Sequence, residues 1–188
     1  ALGSIAFTRY SRILGGLWMN KFKALIAFMG FFVTLALTDQ FYLPEYRTIG
    51  LLVLSGCLGL GIGDTFLLKS FVSIGPGRTL VLFGFQPIIL GLMGHLILGQ
   101  TIAAGKMIGI IFCIFCVIIL SLEGKKMTGK WAVKGILFAF IGMTLDAIGL
   151  TLTRYSFDTD QLLTPNLSNI IRIFGAFFVY AILSLKTR

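Results

Sequence analysis

Residues 49–68 read IGLLVLSGCLGLGIGDTFLL, and Asp64 is the single charge in the run. About 20 apolar residues in a row are what a helix needs to cross the hydrocarbon core of a bilayer. The run is too long for a barrel strand and lacks the alternation of one, so it reads as a helix. Glycine inside it is no objection, because membrane helices tolerate glycine. Working outward, the same pattern recurs at Phe22–Leu37, Leu80–Leu98, Met107–Leu122, Ala132–Leu152 and Ile170–Leu185, with Ala1–Phe7 as the end of an earlier span. The short linkers between these runs force antiparallel neighbours. Ile74-Gly75-Pro76-Gly77-Arg78 makes a tight join, and Gly124-Lys125-Lys126 opens a polar one. The expected fold is an all-α transmembrane helical bundle.

Composition agrees. Of 188 residues, 57% are hydrophobic and 12% charged, and the mean hydropathy is +0.97. A cytosolic enzyme, a disordered tail and a disulfide scaffold are all excluded by that balance. The net charge of +9 would suggest a nucleic-acid partner in a soluble domain. Here the basic residues lie between apolar runs, where they set topology and meet lipid headgroups, so membrane lipid is the expected contact and nucleic acid is not. Arg47, Lys106, Arg154 and Arg172 fall on one side, and the other twelve of 16 fall opposite. The positive-inside rule places the richer side in the cytoplasm, and the expected location is the cell membrane, as a multi-pass integral protein.

A repeat sits inside the chain. Thr8-Arg9-Tyr10-Ser11 recurs as Thr153-Arg154-Tyr155-Ser156, and Asn20, Lys23, Ala27 and Phe28 recur as Asn169, Arg172, Ala176 and Phe177. A four-residue insertion reconciles the two offsets. An odd number of spans separates the copies, so the second copy enters the membrane inverted. Inverted repeats are a recurring plan of secondary transporters, with the solute site at the repeat interface near the midplane.

Gly61-Ile62-Gly63-Asp64, Ile74-Gly75-Pro76-Gly77-Arg78, Pro87, Leu98-Gly99-Gln100 and Gly109 together resemble the EamA-type members of the drug/metabolite transporter superfamily. The resemblance implies ten helices in two inverted five-helix halves, moving small metabolites across a membrane. On that plan residues 1–122 are the first repeat, with its first helix incomplete, and residues 131–188 start the second with two of its helices. The chain is then a piece of a longer protein, with three further spans expected after Arg188. One departure stands out: family members commonly carry an acid where this chain has Gln100.

Charges within apolar runs are the candidate site residues, since each costs about 2.5–3.5 kcal/mol at the bilayer centre on insertion scales. Asp146 shares a face with Gly135, Gly142 and Gly149, which recur every seven residues as a close-packing stripe. It is either a site for a solute, proton or cation, or one half of a structural ion pair. Asp64 lies near the end of its run with Lys69 close behind, which favours structure over transport. His95, the one histidine, is either a charge switch or a neutral hydrogen-bonding residue near a helix end. Pro87 should bend its helix. No metal site and no cofactor is expected, because there is no cluster of metal-ligating residues and no phosphate-binding fingerprint. Cys113 and Cys116, within an apolar run, read as packing residues. The functional expectation is a carrier for small organic metabolites or drugs working by alternating access, and not an enzyme. An integral membrane enzyme or a non-transporting scaffold is the alternative, and the former should show clustered acids and histidines that this chain lacks.

Overall fold

The computed structural model describes residues 2–38, 41–99 and 133–186, with scattered helical residues between 105 and 119. Its helices are α1 (Leu2–Leu14), α2 (Gly16–Thr38), α3 (Tyr46–Ser55), α4 (Asp64–Ile74), α5 (Pro76–Phe83), α6 (Gln86–Leu98), α7 (Val133–Thr159) and α8 (Pro165–Lys186). A π-helical stretch, Gly56–Gly63, joins α3 to α4, so Tyr46–Ile74 runs as one long central rod. Among the described residues there is no strand, and five helical stretches are long and apolar enough to cross a membrane: Gly16–Thr38, Tyr46–Ile74, Pro76–Ile97, Val133–Thr159 and Pro165–Leu185.

Several boundaries differ from the hydropathy reading, each for a local reason. The first helix continues past Phe7 to Leu14, and Gly15 alone separates it from α2. Gly15 has φ 86°, a region L-residues avoid, so one glycine turns the chain. Gly75, also at φ 86°, does the same between α4 and α5, and Pro76 then starts the next helix where its missing N–H costs nothing. The span expected at Leu80–Leu98 is two helices, interrupted at Gly84–Phe85, with Pro87 in the first turn of α6. The last helix begins at Pro165, not Ile170, because Thr164 and Pro165 form a proper start: Leu167 N–H donates to Thr164 Oγ1 at 3.4 Å. Most of Met107–Leu122, together with Gln100, Cys113, Cys116, Trp131 and the polar linker, lies outside the described residues.

The central rod is held between α7 and α8. Gly135, Gly142 and Gly149 of α7 are buried and meet the rod antiparallel, at Ser73–Ile74, Gly63–Leu67 and Ser55–Gly59 respectively. A Cβ at Gly142 would lie 3.0 Å from the Gly63 carbonyl and one at Gly149 2.8 Å from the Ser55 carbonyl, so the contact is backbone to backbone. Serines of the rod bond to carbonyls of that glycine stripe: Ser55 Oγ donates to Gly149 O at 2.6 Å and Ser70 Oγ to Gly135 O at 2.9 Å. On the other flank α8 runs parallel to the rod. A Cβ at Gly61 would meet the Val179 side chain at 2.8 Å, and the Tyr180 hydroxyl donates to Leu60 O at 2.5 Å. That bond brings a side-chain donor from α8 to a carbonyl of the π stretch.

α2 closes the bundle by packing antiparallel on α8. Phe28 meets Phe174 edge-on with centroids 5.4 Å apart, and Lys21 Nζ bonds Ser184 Oγ. Their shared apolar seam contains Ala24, Ile173, Ala176 and Tyr180, flanked by Ala27, Phe28 and Phe177. Without a hydrophobic drive between helices in lipid, close packing and a few hydrogen bonds of this kind carry the association.

Candidate functional site

Three helices bring their midpoints together. Asp146 is the central residue of α7, Gly59 lies next to the middle of the rod, and Gln86 stands at the middle of the interrupted span Pro76–Ile97. Gln86 Nε2 donates to Asp146 Oδ2 at 2.6 Å. Gln86 is also the first residue of α6, so the start of that half-helix lends its side chain to the carboxylate. The break at Gly84–Phe85 thus falls where a polar side chain reaches the centre of α7.

Arg172 completes this centre from α8. It lies seven positions past the start of its helix at Pro165, about two turns in, and is 6% exposed. Its Nη1 reaches Asn169 Oδ1 at 3.4 Å, and its Nε has no hydrogen-bond partner among the described residues. An ideal Cβ on Gly59 would lie 3.1 Å from Asp146 Oδ1 and 3.7 Å from Arg172 Nη2. The glycine therefore lets both charges approach the rod from opposite flanks.

A second charged pair stands five residues past Gly59 along the rod, about 7 Å toward its basic end. Lys23 of α2 and Asp64 form a direct salt bridge, with the side chains 36% and 14% exposed. One turn before Lys23, Asn20 Nδ2 donates to Thr65 Oγ1 at 3.4 Å, and Thr65 Oγ1 in turn donates to Gly61 O at 2.7 Å. Asp64, Lys23 and Arg172 all lie within electrostatic reach of Asp146. Among the described residues these two acids and two bases balance in formal charge, which lowers the cost of holding them there.

Of the residues singled out in the sequence, Asp146 and Asp64 are brought into one region, and the glycine stripe lies on the contact that carries them. His95 is not brought there. It sits on an exposed position in the last turn of α6, nine residues or about 13 Å along the helix from Gln86. Pro87 is next to the site but exposed, shaping the start of α6. Arg172, expected among the charges of one membrane side, lies two turns into α8 and is buried, because that helix starts at Pro165. Gln86 and Lys23 were also missed as partners. The available signals were the Thr-Pro helix start and the repeat itself, which aligns Lys23 with Arg172 and Asn20 with Asn169. Among the described residues no group of His, Cys, Asp and Glu is placed to hold a metal ion.

The sequence profile of the EamA-like transporter family matches residues 1–122. No curated protein matches the chain, and no solved structure does.

Proposed function

The chain belongs to the EamA-like transporter family, and we propose that it moves a small organic metabolite or drug across the cell membrane by alternating access between two inverted halves. In this reading residues 1–122 form the first half, residues 131–188 open the second, and the solute site is the midplane centre of Asp146, Gln86 and Arg172. The observation that carries it is the convergence of three helix midpoints on one polar centre, in a span that is broken at that depth. Carriers place substrates at such discontinuous helices.

Two further facts support the inverted plan. The repeat-related segments α2 and α8 pack antiparallel, and the aligned alanines Ala27 and Ala176 share their seam. The aligned bases Lys23 and Arg172 both reach the polar interior. On this reading Asp146 binds the solute or its coupling ion, and the side rich in Lys and Arg faces the cytoplasm.

Reconstitution in liposomes tests the proposal. The protein should move a small solute, and Asp146→Asn should slow that movement at least about tenfold and change its pH dependence. Transport by that variant at the native rate and with the native pH profile removes Asp146 from the mechanism.

A further inference from the structure

A groove of about 400 Å³ opens between α2 and α8, toward the basic end, and none of its lining residues belongs to the Asp146 centre. Its size falls among those of small-ligand sites, about 300–1,000 Å³. Trp18, Phe22 and Leu25 form the α2 wall, Phe177 stands on α8, and Tyr180, 1% exposed, lies at the floor. Among the described residues the lining holds one charge, Lys21. Lys21 Nζ donates to Ser184 Oγ, and Ser184 Oγ donates its own proton to Tyr180 O at 2.6 Å. That link between the helices fixes the ammonium on the side of the groove nearer the basic end. Lys23 has Asp64, but no carboxylate among the described residues lies within ion-pair distance of Lys21. An ammonium has three N–H donors, and Ser184 takes one of them.

The chemistry of an occupant follows from this shape. Phe22 and Leu25 are 45% and 48% exposed on a membrane-spanning helix, so the groove opens sideways to the bilayer. Leu25 lies about 6 Å deeper than Lys21, and Phe177 about 10 Å deeper than Ser184. The result is an apolar slot beneath a single cation. Trp18, 50% exposed and stacked on Phe22 with centroids 5.4 Å apart, stands at the rim, where such amphipathic rings meet headgroups. A free anion would leave the slot unfilled, and a neutral apolar molecule would leave Lys21 without a counter-charge. A zwitterionic phospholipid brings its own cation to its phosphate. We infer that the groove binds one anionic phospholipid, an acyl chain along Leu25 and Phe177 and the phosphate on the Lys21 ammonium. Anionic lipids are abundant in the cytoplasmic leaflet, the side to which the basic end is assigned. The lipid then ties α2 to α8 along the seam of the two repeat-related helices. The inference needs a membrane-spanning bundle and not the carrier reading.

The experiment is native mass spectrometry of the purified full chain in detergent, titrated with phosphatidylglycerol and with phosphatidylcholine of the same acyl chains. One phosphatidylglycerol should bind per chain, at least about tenfold more tightly than phosphatidylcholine. Glycerol 1-phosphate, a headgroup with no chain, should not displace it. Lys21→Met should remove the preference, a change of at least about tenfold. Lys21→Arg keeps a phosphate-binding charge and should stay within about threefold of the native affinity. Leu25→Trp changes a lipid-exposed wall position, fills the slot and should weaken both lipids at least about tenfold. A photo-cross-linking side chain at position 25 should couple to phosphatidylglycerol in liposomes. Equal affinity for the two lipids, or native phosphatidylglycerol binding by Lys21→Met or Leu25→Trp, overturns the inference. Displacement by glycerol 1-phosphate would make this a free-anion site. Coupling of position 25 to the chain itself or to a second copy, and not to lipid, would give the groove to protein. Should Lys21→Met fold poorly, the comparison of the two lipids on the native chain and the Leu25→Trp arm still decide. Failure of solute transport would leave this inference standing, and its own failure would leave the carrier reading untouched.

Discussion

Two acid–base pairs lie along one helix of this protein, and they are built differently. Lys23 and Asp64 touch, near the basic end, and Lys23 keeps about a third of its surface in contact with the surroundings. Asp146 and Arg172 lie at the middle, Asp146 half-buried and Arg172 buried, and stay apart across a glycine. A touching pair near the surface is a strut: each charge neutralises the other, and the lysine can extend toward the headgroups if its acid is lost. A separated pair in the interior makes no hydrogen bond between its own members, so each side chain keeps donors or acceptors for other groups. The sequence repeat aligns Lys23 with Arg172, so the same position in the pattern carries a touching base in one segment and a separated one in the other.

Forcing the separated pair further apart should have the largest effect. A Cβ at Gly56 would overlap the Arg172 backbone carbonyl, and backbone cannot rotate away, so Gly56→Ala should push α8 off the rod. We expect a loss of about 3 kcal/mol, at the upper end of overpacking costs, read as a fall in the detergent melting temperature. An unchanged melting temperature would mean that α8 does not pack as closely as described. Next comes Arg172→Met, which keeps the length of the side chain and removes the charge. Transport should drop by at least about tenfold, equivalent to about 1.4 kcal/mol, whereas Lys23→Met should cost about threefold or less. Equal losses in the two variants would erase the distinction between strut and site.

Ser55→Ala probes the clamp that holds α7 beside the separated pair. Ser55 Oγ donates to Gly149 O and lies 2.7 Å from Thr153 Oγ1, and losing these bonds should cost about 1 kcal/mol of stability. Chemical unfolding in mixed micelles checks it. The smallest and most discriminating effect is a difference between two double-mutant cycles. Lys23→Met with Asp64→Asn should show a coupling of about 0.5–1 kcal/mol, the range for a partly exposed direct pair. Arg172→Met with Asp146→Asn should show a smaller stability coupling, because those side chains do not touch. The reverse order would contradict the description of the two pairs.

Much of this was legible in the sequence. Long apolar runs announce membrane helices because a bilayer offers no hydrogen bonds to any other backbone conformation. The glycine period of seven marked the face of α7 that packs on the rod, and Asp146 on that face was readable for the same reason. Arg172 was not: two residues into the run Ile170–Leu185 it reads as a charge at the membrane edge, and only the helix start at Pro165 places it two turns in. Gln86 was invisible: a glutamine beside a proline signals nothing until the broken span carries it to the Asp146 carboxylate. His95 drew notice as the lone titratable residue of its type, yet rarity in a sequence says nothing about position, and it lies exposed at the far end of α6.

By itself the sequence determined that the protein spans a membrane, as helices, and where its close-packed glycine face lies. Each follows from local physics: apolar length, backbone satisfaction and the 3.6-residue turn. Tertiary structure alone decided which charges touch and which remain apart. That choice depends on the distance of α7 and α8 from the central rod, set by the absence of a few atoms at Gly56, Gly59 and Gly149, and no local rule relates those glycines to charges as many as 116 positions away along the chain.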